Sequence, residues 1–209
     1  MDRRTVEDCL REEYFDLLPD IRRIAEHLEA VIKYSLLPIS RHLDRFEQII
    51  VKSRVKDCES AVEALRRRQE GATFDPDSVQ RYTLKSLRDL AGVRVLAFPH
   101  SRLEEIDTAL RKVFEEWNED PVLGERGEKL ACKYWGISPV SKDIVGEYQI
   151  VSMLTGLFWE VEHPAIYKPS PQLRGIARSL EMNEPIANVH RALRRFEEEF
   201  EELVRQAGA

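Results

Sequence analysis

Three stretches of this chain bring together residue types that handle phosphate groups and metal ions. In SRVKDCESAVEALRRR, Arg54 and Lys56 stand two apart in a segment that reads as extended, and Arg66, Arg67 and Arg68 follow on a helix. Side chains two apart on a strand point the same way, so Arg54 and Lys56 are placed to grip one polyphosphate. A guanidinium fork pairs with phosphate oxygens in a bidentate manner that an ammonium group does not match. Taken alone, the cluster also fits a solvated basic helix face. In RDLAGVRVLAF, Asp89 precedes a glycine-containing turn into a strand whose alternate face carries Arg94. A carboxylate at a strand edge suits magnesium, which takes few protein oxygens and completes its shell with water and substrate phosphates. Asp89 alone also fits a helix or turn cap.

The third stretch is EYQIVSMLTGLFWEVEH. Glu147 and Gln149 share one face of a predicted strand, and Tyr148 and Ile150 take the other. A carboxylate and an amide inside an apolar segment are costly to bury without partners. A metal, a nucleotide or a buried hydrogen-bond network would each serve. Downstream, Glu160 and His163 are three apart on a helix and share a face, as a structural pair or a catalytic one.

Positioning these groups requires a scaffold, and the apolar periodicity outlines it. The first fifty residues read as helices. In IRRIAEHLEAVIKYSLL, Ile21, Ile24, Ala25, Leu28, Val31 and Ile32 recur at helical steps. Pro38 interrupts, and Ile39, Leu43, Phe46, Ile49 and Ile50 form a second stripe. A helix is expected from about Glu59, and GATFDPDS is a loop signal. GVRVLAF alternates as a half-buried strand does, Val93, Val95 and Ala97 against Arg94, Leu96 and Phe98.

SRLEEIDTALRKVFEEW opens on Ser101 as N-cap with Glu104 completing a capping box, and Leu103, Ile106, Leu110, Val113 and Phe114 form its buried face. From Asn118 to Gly146 the pattern is irregular, before the GEYQIV strand and a helix. YKPSPQLRG reads as a linker. A final helix starts with Asn183 as N-cap and Pro185 in the first turn. Its seam of Ile186, Val189, Leu193, Phe196, Phe200 and Leu203 packs on the parent domain or forms a subunit interface. The order of elements predicts an α+β protein, a small mixed sheet covered by helices.

Composition narrows the function. The chain has 209 residues, 43% hydrophobic and 33% charged, with a net charge of −6. That balance argues against broad duplex binding, which needs a phosphate-neutralising surface, yet leaves room for a local basic pocket. No run approaches the roughly 18–20 apolar residues that span a bilayer, and the N-terminus has no apolar stretch of signal-peptide type. The chain is therefore expected in the cytoplasm, with no membrane partner. Cys9, Cys58 and Cys132 are far apart and read as free thiols.

The ordered series SRVKDCES, RDLAGVRVLAF and EYQI…WEVEHPAIYK resembles the synthetase domain of RelA/SpoT proteins and their small single-domain relatives, from about Ile49 to Lys168. The resemblance implies a nucleotidyltransferase-like mixed β-sheet flanked by helices. Helices over 1–52, a core over 53–168 and a helical segment over 169–209 would make one domain. It implies transfer of pyrophosphate from ATP to the 3′-hydroxyl of GDP or GTP, making an alarmone, with magnesium (Mg2+) as cofactor. In that light Arg54, Lys56 and Arg94 resemble donor-phosphate ligands. Asp89 and Glu147 resemble the catalytic, metal-binding carboxylates. Gln149, His163 and Lys168 resemble acceptor-side residues.

The G-Y-x-S-x-H stretch of the family, whose tyrosine stacks on guanine, is replaced by KYWGISP, where Tyr134 or Trp135 offers the aromatic face. Val151 stands at the arginine position of E-x-Q-I-R-T, and Gly156 at the polar guanine contact. A rebuilt acceptor side leaves other partners open: an adenine nucleotide, the 3′ end of tRNA, or a binding domain without turnover. Homo-oligomerisation through the C-terminal helix is a further expectation. No hydrolase motif stands in the helical N-terminus.

Overall fold

Residues 4–123, 129–162 and 183–207 are described by this structure, a computed structural model of the chain. The N-terminal stripe forms α1 (Val6–Ser35), which opens on a capping box that the hydrophobic pattern did not reveal. The Thr5 hydroxyl accepts from the Asp8 N–H at 3.1 Å, and the Asp8 carboxylate accepts from the Thr5 N–H at 3.3 Å. Ile21, Ile24, Ala25, Leu28 and Ile32 are fully or almost fully buried along the inner face of α1. The second stripe does not continue as a helix. After the single turn of α2 (Leu37–Ser40) the chain turns at Asp44, and strand β1 (Gln48–Val55) begins. Ile49 and Ile50 therefore point to opposite faces of a strand, and the sheet starts before residue 53.

Asp57 caps α3 (Cys58–Arg66) by accepting from the Ser60 N–H at 2.8 Å. Strand β2 (Ala91–Phe98) and helix α4 (Arg102–Val113) follow. The capping box expected for α4 is not formed: Ser101 makes no side-chain cap, and its own N–H donates to Glu201, 100 residues away, at 2.6 Å. A tertiary contact thus replaces the local one. The stretch that looked irregular contains the short strands β3 (Asn118–Glu119) and β4 (Val122–Leu123). It also contains the long hairpin of β5 (Lys129–Ser138) and β6 (Ser141–Ser152). Gly136 and Gly146 face each other across this hairpin and hide its alternation. A Cβ on Gly146 would lie 2.6 Å from Leu28 Cδ1, so the glycine is what lets α1 lie so close to the sheet. Helices α5 (Met153–Glu162) and α6 (Asn183–Gln206) complete the described elements.

The sheet order is β1–β2–β6–β5–β3, with β4 on β5; β2 and β6 are parallel and the other pairs antiparallel. The α+β expectation therefore holds. One face carries Val93, Val95, Tyr148, Ile150 and Tyr134 into the main core beneath α1 and α4. The other face is divided. Leu96, Val151 and Ala131 form a small apolar cluster with Met153 and Trp159 of α5, so β2 is covered on both sides and is not half-buried as its alternation implied. The remainder of that face carries polar side chains.

The last helix is described from Asn183, with Pro185 two residues on, so its expected N-cap falls at the edge of the described residues; its predicted seam is split. Leu193 and Phe200 turn inward while Val189, Phe196 and Leu203 are exposed. Among the described residues no helix is long and apolar enough to cross a membrane. Cys9, Cys58 and Cys132 are free.

Candidate active site

Strand register assembles the polar face. Lys52 lies opposite Arg94, Arg94 opposite Gln149, and Gln149 opposite Lys133, so one row crosses β1, β2, β6 and β5. The next row is Arg54, Gly92, Glu147 and Trp135. Lys56 and Asp89 stand just beyond the ends of β1 and β2 and close the upper edge. Five of the expected residues therefore share one region: Arg54, Lys56, Asp89, Arg94 and Glu147, with Gln149 beside them.

The scaffold fixes Lys56 from both sides. Its N–H donates to Leu90 O at 2.9 Å, and its carbonyl accepts from the Tyr14 hydroxyl of α1 at 2.7 Å. Its ammonium donates to the Asp89 carboxylate, and Arg54 stands 3.9 Å from the same oxygen. Burial alone would push the Asp89 carboxyl up, but Lys56, with help from Arg54 and Lys133, outweighs it and holds Asp89 below its ordinary value. Asp89 is thus an ion-pair partner and not a turn cap.

Glu147 is 3% exposed. It accepts from Gln149 Nε2 at 2.8 Å through Oε1, and Lys133 Nζ stands 3.3 Å from Oε2 without hydrogen-bond alignment. Burial raises its pKa; Lys133 and Arg54 pull it down, and the Asp89 charge pushes it further up. The two carboxylates are thus tuned in opposite directions by the same surroundings. Arg94 donates to Glu160 at 2.8 Å, and burial together with the Arg54 charge lowers its pKa.

The aromatic neighbour in this region is Trp135, not Tyr134. Tyr134 is 2% exposed and lies on the core face, stacked on Tyr148 at 4.8 Å. Its hydroxyl donates to Asp107 at 2.6 Å and accepts from Arg111 at 2.8 Å. Strand alternation separates the two: the residue opposite Tyr134 is Tyr148, and the residue opposite Trp135 is Glu147. The Arg88 guanidinium sits 3.9 Å over the Trp135 ring. Gly156 is buried, and a Cβ there would lie 2.3 Å from Leu96 Cδ2. His163 and Lys168 lie outside the described residues.

Lys52, Lys133 and Arg88 were not singled out from the sequence. Lys52 was findable, since Lys52, Arg54 and Lys56 alternate on one strand. Lys133 was not, because β5 was unrecognised. Asp89 and Glu147 suit magnesium: Glu147 Oε2 is a buried oxygen with no hydrogen-bond partner, and two carboxylates are enough where substrate phosphates complete the shell.

No family model matches this chain, and no curated protein matches it in sequence. Solved structures do. The small alarmone synthetase 1 from Bacillus subtilis superposes with a TM-score of 0.67 at 17% identity, covering 94% of this chain and 98% of that one. The same enzyme bound to its product pppGpp gives 0.65 at 17% identity, covering 95% and 100%. A GTP pyrophosphokinase family protein from Streptococcus pneumoniae gives 0.62 at 20% identity, covering 93% and 96%. The chain has the fold of the small alarmone synthetases.

Proposed function

We propose that this chain is an ATP-dependent pyrophosphokinase that makes a (p)ppGpp-type alarmone from ATP and GDP or GTP. The observation that carries this reading is the meeting of Arg54, Lys56, Asp89, Arg94 and Glu147 on one sheet face within that fold. In the reaction, the acceptor 3′-oxygen bonds to the β-phosphorus of ATP and the bridge between the α- and β-phosphates breaks. AMP leaves, and the hydroxyl proton must be taken up. Such transfers depend on positioning and charge neutralisation more than on covalent catalysis. Arg54, Lys56 and Arg94 neutralise the donor phosphates. Burial makes Glu147 a stronger base than an ordinary carboxylate, and Gln149 fixes its orientation beside the acceptor hydroxyl. Asp89 and Glu147 would hold magnesium, which when bound adds positive charge against the polyphosphate.

On the acceptor side Trp135, of the two aromatic candidates, takes the stacking role, with Arg88 on its ring. His163 and Lys168 enter this reading through the family resemblance. Self-association belongs to α6, whose Val189, Phe196 and Leu203 are exposed at seven-residue spacing.

Chromatography of labelled ATP incubated with GDP, GTP, ADP or tRNA tests this reading. Transfer to a guanine nucleotide is expected, with at least a hundredfold loss in Glu147→Ala, on the order of removing an electrostatic or acid–base group. Trp135→Ala should raise the acceptor KM about tenfold or more, as loss of a base stack of ~1–3 kcal/mol implies. Transfer confined to tRNA or an adenine nucleotide would move the activity to another acceptor. Absence of transfer to any acceptor would sink the enzymatic reading.

A further inference from the structure

Helix α6 uses one side to hold its own domain. Ile186, His190, Leu193, Glu197, Phe200 and Val204 recur at helical steps along that side and are buried or half-buried. Phe200 packs on Phe46 and Phe98, and Glu197 takes the Ser152 hydroxyl. The rotation of the helix is thereby fixed, and so is what it presents elsewhere. Beside that contact runs a second apolar row: Val189, Phe196 and Leu203 are 36%, 54% and 64% exposed. Seven residues return a helix to nearly the same direction, so the three form one line about 21 Å long. Ala192 is exposed between the first two and leaves room for close approach. Such a row is what a facing helix covers.

Symmetry and charge identify that facing helix. Phe196 stands midway between Val189 and Leu203. A helix of the same sequence, turned end for end about Phe196, therefore meets the row residue for residue, Phe196 on Phe196 and Val189 on Leu203. The exposed positions before Phe196 carry Arg191, Arg194 and Arg195, and those after it carry Glu198, Glu199 and Glu202, with Arg205 alone reversing the sign. A parallel copy would set arginines against arginines and glutamates against glutamates. An antiparallel copy brings Arg191 toward Glu202 of its partner and Arg195 toward Glu199, and it opposes the two helix dipoles.

We infer that α6 pairs antiparallel with α6 of a second copy of this chain, across a two-fold axis at Phe196. Such a contact uses the same patch on both chains, so it closes at two and leaves no apolar row uncovered. Within each helix Arg195 and Glu199 pair at 2.7 Å, both well exposed, so turning them toward the second copy costs little. The inference gives an orientation and a register to the self-association proposed above and rests on it. It is independent of the chemistry proposed for the sheet face.

Sedimentation velocity and thiol cross-linking of the full chain test the pairing. The unmodified chain should sediment as a dimer. Phe196→Glu sets two carboxylates against each other in the apolar row and should weaken association roughly tenfold or more. Leu203→Glu, also at an exposed position, is a second such variant. A short bis-maleimide should join Val189→Cys to a tagged Leu203→Cys chain when the two are mixed. Neither variant should cross-link to itself beyond the level of the unmodified chain, because like positions then lie about 21 Å apart. Cross-linking of Val189→Cys to itself would mean a parallel pair and overturn the register. A dimer that persists in Phe196→Glu and Leu203→Glu would place the contact on another face and overturn the inference. A monomeric unmodified chain would remove the self-association and the pairing together, and leave the pyrophosphokinase reading standing.

Discussion

Lys133 shows how much of this site is set by single charges. It stands between Glu147 and Asp120, and its charge is the largest influence opposing the rise that burial imposes on Glu147. In the proposed reaction Glu147 acts as a carboxylate, so activity should fall as pH drops through its raised pKa. Lys133→Met removes the stabilising cation, so the acid limb of kcat/KM, which reports the free enzyme, should move to higher pH. The plateau at higher pH should change less. A limb that stays in place, or moves down, would show that Lys133 does not tune Glu147. The opposite sign holds for Asp89, whose carboxyl is held low by Lys56 and Arg54. The stability from that ion pair is present above the unfolded-state pKa and is lost as pH falls through the folded one.

Among the elements, α5 shows why a glycine stands at position 156, where the RelA/SpoT pattern has a polar residue. Gly156 lets this helix lie directly on β2, with Leu96 and Val151 filling the space a side chain would take. A Cβ would meet Leu96 Cδ2 at 2.3 Å and Val151 Cγ1 at 3.1 Å. Restoring a polar contact there is therefore not a local edit. Gly156→Asp should overpack this cluster and bury an unpaired carboxylate, costing roughly 3 kcal/mol or more. Thermal unfolding should show a drop of ~6–12 °C, at roughly 2–4 °C per kcal/mol for a chain of this size. An unchanged melting temperature with tighter guanine-nucleotide binding would contradict this packing. The same helix places Glu160 over Arg94, so one glycine and one carboxylate link α5 to both sides of the site.

For the molecule as a whole, α6 ties together elements distant in sequence. Phe200 packs on Phe46 and Phe98 with ring centroids 5.4 and 5.1 Å away, Glu201 takes the Ser101 N–H, and His190 lies 3.6 Å from Glu162 of α5. Glu197, 1% exposed, accepts from the Ser152 hydroxyl at 2.6 Å at the end of β6. Burial raises its pKa, and the Ser152 bond offsets this in part. With a raised folded pKa, its contribution is fully present below the unfolded pKa and is lost as pH rises through the folded one. Glu197→Gln keeps an acceptor oxygen for Ser152 and removes the charge. It should raise the melting temperature at pH 8 by ~2–4 °C, the equivalent of about 1 kcal/mol, and the advantage should vanish in acid. An equal gain at both pH values would mean that ionisation is not the cause.

The sequence by itself determined the candidate groups for the proposed chemistry and the character of the fold. Arg54, Lys56, Asp89, Arg94 and Glu147 stand in local patterns of strand alternation and turn that a linear reading can follow, and α1 follows from its stripe. Tertiary structure decided what depends on partners far along the chain. The long β5–β6 hairpin was hidden because paired glycines break its alternation where α1 and Trp117 press on it. Its register then turned Tyr134 into the core and Trp135 toward Glu147. The second apolar stripe became a strand because Ile49 and Ile50 serve opposite sides of a sheet edge, and the Ser101 N–H at the start of α4 is taken by Glu201 of α6 in place of its own Glu104. Side-chain chemistry is written locally, whereas which face a strand presents is fixed by pairing with strands that the local sequence does not name.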